Sequence, residues 1–135
     1  NLSVLPADLI PYVPLFARAL VHMGNDGEDF VSLSQRIGSK TGGIHVSTLM
    51  GVSLDGQRPV TWLVVRGKAT VARARDLTDI LKDILLTTQF DDKERFRQML
   101  LEEKARQEGS LIPAGHLIVN SRLRAHFTVA DWLNE

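Results

Sequence analysis

From Ile44 the hydrophobic pattern changes period, and that change constrains the fold more than any other feature of the chain. Ile44, Val46, Thr48, Met50, Val52 and Leu54 alternate with His45, Ser47, Leu49, Gly51, Ser53 and Asp55. Successive side chains of a strand point to opposite faces, so this spacing predicts a long strand with one face buried. The stretch "DGQRP" turns the chain, and "VTWLVVRGKA" supplies the return strand of a hairpin. Apolar residues fill both faces of that strand's middle, the pattern of a central position in a sheet.

Helical periods flank the hairpin. Leu9, Val13, Phe16 and Leu20 form a stripe at three- and four-residue spacing, predicting an amphipathic helix from Leu9 to Met23. Pro11 and Pro14 fit it where the first N–H groups lack partners. "MGNDGED" breaks it, and Phe30, Leu33 and Ile37 form a second helix ending at Gly38. After the hairpin, Leu77, Ile80, Leu81, Ile84 and Leu85 define a third helix. Asp91 with Glu94 reads as a capping box before Phe96, Met99 and Leu100, in a helix running on through "EEKARQE" with a charged outer face. A further helix carries Leu117, Ile118, Leu123 and Phe127, and Thr128 and Asp131 cap the final segment. The order is α-α-β-β-α-α-α in an α+β fold, an antiparallel sheet with helices packed on it. A lone hairpin under five helices is little sheet, so other strands are expected to pair with it. Its open edges are expected to make the isolated chain self-associate.

The 135 residues suit one domain, 1–135, that buries roughly two thirds of its unfolded surface. Lys+Arg and Asp+Glu number 16 each, which favours neither nucleic acid nor an anionic membrane as partner. There is no cysteine, hence no disulfide and no thiolate metal site. No apolar run reaches the ~18 residues of a membrane span. The chain starts "NLSVLPADL", without Met or a signal core, and stops at "TVADWLNE", as a helix opens. Both ends read as cut, and the expectation is a piece of something larger.

The chemistry-bearing residues form no catalytic constellation. "RIGSKTGGI" resembles a phosphate loop, but Ser39 stands where Gly would precede Lys40, and a helix precedes a strand instead of the reverse. Its glycines read as a helix cap and the start of a strand. His22, His45, His116 and His126 show no ligand spacing, His45 falling on a polar strand face and His116 at a helix start. No serine sits in Gly-x-Ser-x-Gly. The carboxylates between Glu102 and Glu108 read as a solvated helix face with i,i+4 pairs. Arg66 and Lys68 share a strand face around Gly67, fit to meet a carboxylate or a peptide terminus, and Arg122 and Arg124 stand near His116. Charges without a ligand are the commoner case for both.

The ordered stretches "DLIPYVPLFARALVHMG", "DFVSLSQRIGSKTGGI", "VVRGKA", "ARDLTDIL", "FDDKERFRQMLLEEKAR" and "GHLIVNSRLRAHFTVADWLNE" together resemble the presequence-protease branch of the pitrilysin/insulysin superfamily of zinc metallopeptidases, which includes falcilysin. The resemblance covers nearly the whole chain. It implies a parent of four homologous α+β domains in two hinged halves, closing around a chamber that admits peptides. Zinc would be held in the first domain by an inverted His-x-x-Glu-His motif and a downstream Glu. The chain would be the third domain.

On that resemblance the first helix matches the zinc helix of the first domain. It reads "PYVPLFARAL", with Val, Phe and Ala where ligands and base would stand. No catalytic, cofactor-binding or metal-binding residue is therefore carried over. The implied role is non-catalytic: part of the chamber wall and support for a fourth domain that supplies basic and tyrosine groups at the zinc. The parent would be a zinc metalloendopeptidase and this piece alone inactive, its partners being peptide substrates and the parent's other domains. The compartment would be cytoplasmic in a bacterium and organellar in a eukaryote. Two alternatives share the fold: an inactive homologue serving as an assembly subunit, and a free-standing peptide-binding module.

Overall fold

A computed structural model describes residues 1–54, 59–127 and 131–132. In chain order it contains α1 (Val13–His22), α2 (Phe30–Lys40), β1 (Ile44–Val52), β2 (Pro59–Gly67), α3 (Ala74–Leu86), α4 (Lys93–Ser110) and α5 (Gly115–Arg124). The expected α+β order is borne out. The strands pair antiparallel, from Ile44 opposite Gly67 to Val52 opposite Pro59. Of the turn expected over "DGQRP", Pro59 begins β2 and residues 55–58 lie outside the described residues, as does the cap expected at Thr128.

One face of the hairpin makes the main core. Ile44, Val46, Leu63 and Val65 pack against Ala17 and Leu20 of α1, Leu33 of α2, and Ile80 and Ile84 of α3. Leu33, Ile80 and Ile84 are almost wholly removed from water. Full burial of such side chains stabilises by roughly 1.5–3 kcal/mol each, enough to fix which strand face points inward. The opposite face carries Leu49 beside Trp62, both about half exposed, with His45 opposite Arg66. The apolar middle of β2 thus has one face in the core, and no third strand pairs with it among the described residues. Leu2 N–H donates to the Thr61 carbonyl of β2 at 2.8 Å.

Helix boundaries depart from the spacing in four places, one of them at the end of α5, which stops at Arg124 and leaves Phe127 beyond it. Leu9 to Tyr12 belong to a 3-10 turn at Ala7–Tyr12 that contains Pro11, and the α-helix starts only at Val13, with Pro14 in its first turn. The buried side of α1 also shifts. Phe16 is half exposed and stacks on Phe90 with centroids 5.6 Å apart. Ala17 faces the hairpin core while Ala19 meets Met99 of α4. Small side chains let α1 sit close to neighbours on two sides, which a search for large apolar residues overlooks.

The second helix passes through Gly38 to Lys40. Its end is made by Thr41, whose N–H and hydroxyl both donate to the Ile37 carbonyl, at 3.0 and 2.7 Å. Gly43 then adopts a φ of 108°, in the region that favours glycine, and its N–H donates to the Thr41 hydroxyl. The cap of α4 is Asp92, not Asp91: its carboxylate accepts from Arg95 N–H at 2.9 Å, the three-residue reach of an N-cap.

Candidate interaction surfaces

The helix that the resemblance aligns with a zinc helix presents hydrocarbon. Val13, Phe16 and Ala17 occupy its i, i+3 and i+4 positions, and none has a donor atom for a metal. Of the histidines, His22 ends α1 half-buried, His45 is exposed on β1 and His116 is exposed in the first turn of α5. Among the described residues no three His, Cys, Asp or Glu side chains converge as metal ligands.

A hollow of about 710 Å³ lies between α1, β1 and α4, with Pro14, Arg18, His45, Leu100 and Glu103 in its walls. Its polar groups already hold one another. Arg18 donates to Glu103 at 3.0 Å, and Glu103 also accepts from Arg106 and Gln107. The Arg106 guanidinium holds the Glu103 carboxyl below the usual carboxylate range, aided by Gln107 and Arg18. Glu102 lies 3.7 Å from Arg18 and 3.6 Å from Arg95. Arg95 in turn donates to the His22 carbonyl at 3.0 Å, and its guanidinium lies 3.7 Å from the centre of the Phe30 ring. Burial, then the positive fields of Arg18 and Arg95, push the His22 imidazole below its ordinary pKa, with Glu102 opposing them. This is a clamp between α1 and α4, formed by carboxylates whose spacing reads as a solvated face. The reading holds for Lys104 and Glu108, an exposed i,i+4 pair. For Glu102 and Glu103 it fails, because their partner Arg18 stands some eighty residues earlier and no local pattern announces it.

The sequence-predicted pair Arg66 and Lys68 lies at the root of the hairpin, where Gly42 N–H donates to the Lys68 carbonyl at 2.7 Å and Lys68 N–H to the Gly43 carbonyl at 3.2 Å. Neither side chain makes an ion pair with a described residue. Across the root, Lys40 and Arg73 share the carboxylate of Asp76, at 3.3 and 2.9 Å. Gly42 and Gly43 thus close a turn against the end of β2. Arg124 pairs with Asp131 at 3.0 Å.

α5 presents an exposed apolar surface. No residue of α5 is buried, and Leu117, Ile118, Val119 and Leu123 are 45 to 60% exposed. The whole chain presents 9628 Å² to solvent, against about 7,000 Å² expected for a compact monomer of this mass. The excess is of the order buried in an obligate protein interface.

Comparison with known proteins gives a consistent set of relatives. The family model for the domain associated with peptidases of group M-16, subfamily C, matches residues 1–135. Presequence protease 1, chloroplastic/mitochondrial, of Arabidopsis thaliana is 38% identical over 135 residues, covering 100% of this chain and 12% of that protein. Protein HypA of Clostridium perfringens is 30% identical over 131 residues, covering 95% of the chain and 13% of its own length. The mitochondrial presequence protease of Danio rerio is 27% identical over 136 residues, with coverage of 100% and 13%. The chain therefore spans 12–13% of the length of these curated relatives.

Proposed function

The chain belongs to the peptidase-associated family of group M-16, subfamily C, and from that premise we propose that it is a non-catalytic wall domain of a zinc-dependent peptidase, the third of four domains enclosing a chamber. The relatives that are presequence proteases support a peptidase parent. The observation that carries the wall role is the uncovered apolar surface, above all α5. A helix with Leu117, Ile118, Val119 and Leu123 turned to water offers a contact face for a neighbour. In this reading the covering neighbour is another domain of the same parent, and zinc is bound by a domain outside this chain.

Enclosure is the chemical contribution. A chamber that closes around a peptide excludes folded proteins by size and sheds bulk water from the site where the amide is attacked. Walls need rigidity and shape instead of nucleophiles, which suits a chain whose strongest polar networks bind its own helices together. The compartment depends on the source: the cytoplasm in a bacterium, an organelle in a eukaryote, as the names of the presequence proteases indicate for those relatives.

The test uses the full reading frame that contains this chain. Cleavage of an unstructured peptide is expected to stop with a chelator and return with zinc. Leu117→Asp with Leu123→Asp is expected to lower cleavage while leaving bound zinc unchanged. No metal-dependent cleavage, together with no upstream His-x-x-Glu-His, would leave the assembly-subunit reading. Full activity of the α5 variant would remove the wall role.

A further inference from the structure

The turn at residues 41–43 that follows α2 and the "VRGK" stretch that ends β2 and leaves it meet at the hairpin root, and neither is used by the wall role. Two shallow hollows adjoin there. One is lined by Gly42, Gly43, His45, Arg66 and Lys68, the other by Lys40, Gly42, Lys68, Thr70 and Arg73. Lys68 belongs to both, and no carboxylate lines either. Asp76 lies just beyond, already engaged by Lys40 and Arg73, and Arg73 first and Lys40 second hold its carboxyl below the usual range. Four cations therefore stand against one carboxylate.

The lysine is held in place. A Cβ on Gly42 would come within 2.8 Å of Lys68 Cγ, so the lysine stem lies directly against the bare turn. The two main-chain hydrogen bonds between Lys68 and the turn fix its backbone. Arg66 stands on the outer sheet face opposite His45, in the same register that places Trp62 beside Leu49 further along. This face therefore grades from basic to apolar.

The chain's zero formal charge conceals this arrangement. Glu28 and Asp29 sit where α2 begins, and Asp91, Asp92 and Glu94 border the same hollow. Lys40 ends α2 and Arg73 precedes α3, at the opposite ends of those helices. Eleven residues of helix separate the acidic end of α2 from the basic one, roughly 16 Å, about twice the screening length at physiological salt. The acidic end leaves the basic end unneutralised.

We propose that the hairpin root is a docking site for the carboxylate side chains of an extended acidic peptide, with Arg66 and Lys68 as the anchors and Trp62 and Leu49 receiving an apolar residue nearby. Arg66 offers the paired N–H donors that match a carboxylate, and Lys68 adds a point charge. A nucleic acid fits less well, since its affinity rests on many phosphates met along a track, whereas this cluster is compact. That the ligand is a peptide rests on the proposed function; that it is anionic rests on the root alone.

The experiment titrates the full-length protein containing this chain, with a chelator present to prevent cleavage, against a short fluorescein-labelled peptide with blocked ends. The peptide carries several glutamates and one phenylalanine, and a control carries glutamine in their place. Fluorescence anisotropy is expected to show the glutamate peptide binding about tenfold more tightly than the control, with Arg66→Ala and Lys68→Ala together removing that difference. Arg66→Gln alone, at an exposed position, is expected to weaken binding about threefold with an unchanged thermal melt. Equal binding of the two peptides overturns the proposal, as does a double variant that keeps the preference. A thymidine oligonucleotide of equal charge that binds as tightly and is lost with the same variants also overturns it. Because no step requires cleavage, failure here is distinguishable from failure of the peptidase reading.

Discussion

α3 and α5 both carry leucine and isoleucine at short intervals, yet they stand at opposite extremes of burial. In α3 the apolar residues keep a three- and four-residue spacing, and the two at the centre, Ile80 and Ile84, vanish beneath the hairpin. In α5 three of them, Leu117, Ile118 and Val119, are consecutive, so they spread around the helix, and all remain substantially exposed. A regular stripe identifies the face that a domain buries by itself. A broad apolar sector on an unpacked helix identifies a face meant for something else.

The largest expected effect stems from that contrast. Ile84→Ala in this 135-residue chain should cost about 2–5 kcal/mol in urea denaturation, while Leu123→Ala should cost less than about 0.5 kcal/mol. Equal costs would mean that α5 is packed in solution. Placed in the full-length protein, Leu123→Ala should become clearly destabilising or lower activity, and no change there would break the comparison from the other side.

Next comes the clamp that joins α1 to α4. Glu103→Gln deprives Arg18 of its nearest carboxylate, and the side chains of both are less than a third exposed. A loss of about 1–3 kcal/mol is expected, together with faster amide exchange along α4. Asp92→Ala should cost about 1 kcal/mol through the lost cap, whereas Asp91→Ala should stay within about 0.5 kcal/mol. Thermal melts of the two variants measure the difference directly, and the reverse order would restore the one-residue-earlier cap.

The smallest effect is that of pH on His22. Burial and two guanidiniums lower its folded pKa, so between the folded value and the unfolded one near 6.5 the unfolded chain binds more protons. This contribution to stability is complete above about pH 6.5 and is lost as pH falls toward the folded value. Melting temperature should therefore decline from about pH 7 to about pH 5 more steeply in the natural chain than in His22→Gln. Parallel profiles would remove His22 as the cause.

The hairpin is legible in the sequence because period-two alternation and turn residues are local signals, and its buried face can be read from Val46 and Val65 alone. The Arg66–Lys68 pair is legible for the same reason. Other features need information from distant parts of the chain. Gly38 looks like a helix end until Thr41 is seen satisfying the Ile37 carbonyl and Lys40 reaching Asp76. Phe16 looks like core until Ala17 and Ala19 are seen admitting neighbours on two sides of α1. Glu103 looks solvated until Arg18 arrives from the far end of the chain. Each of these errors comes from judging a residue by its neighbours in sequence when its energetics are set by neighbours in space.

The geometry of α4 has a mechanical consequence. Phe96 and Met99 bed into Leu15, Ala19 and Met23, and Arg95, Glu102 and Glu103 tie the helix to α1 and α2. Beyond Glu103 the helix continues to Ser110 with no buried residue, an overhang of about 10 Å that ends at the turn into α5. It is a cantilever with its fulcrum at the Arg18–Glu103 pair. A body seated on α5 is thus joined to the core beneath α1 through one unsupported stretch of helix.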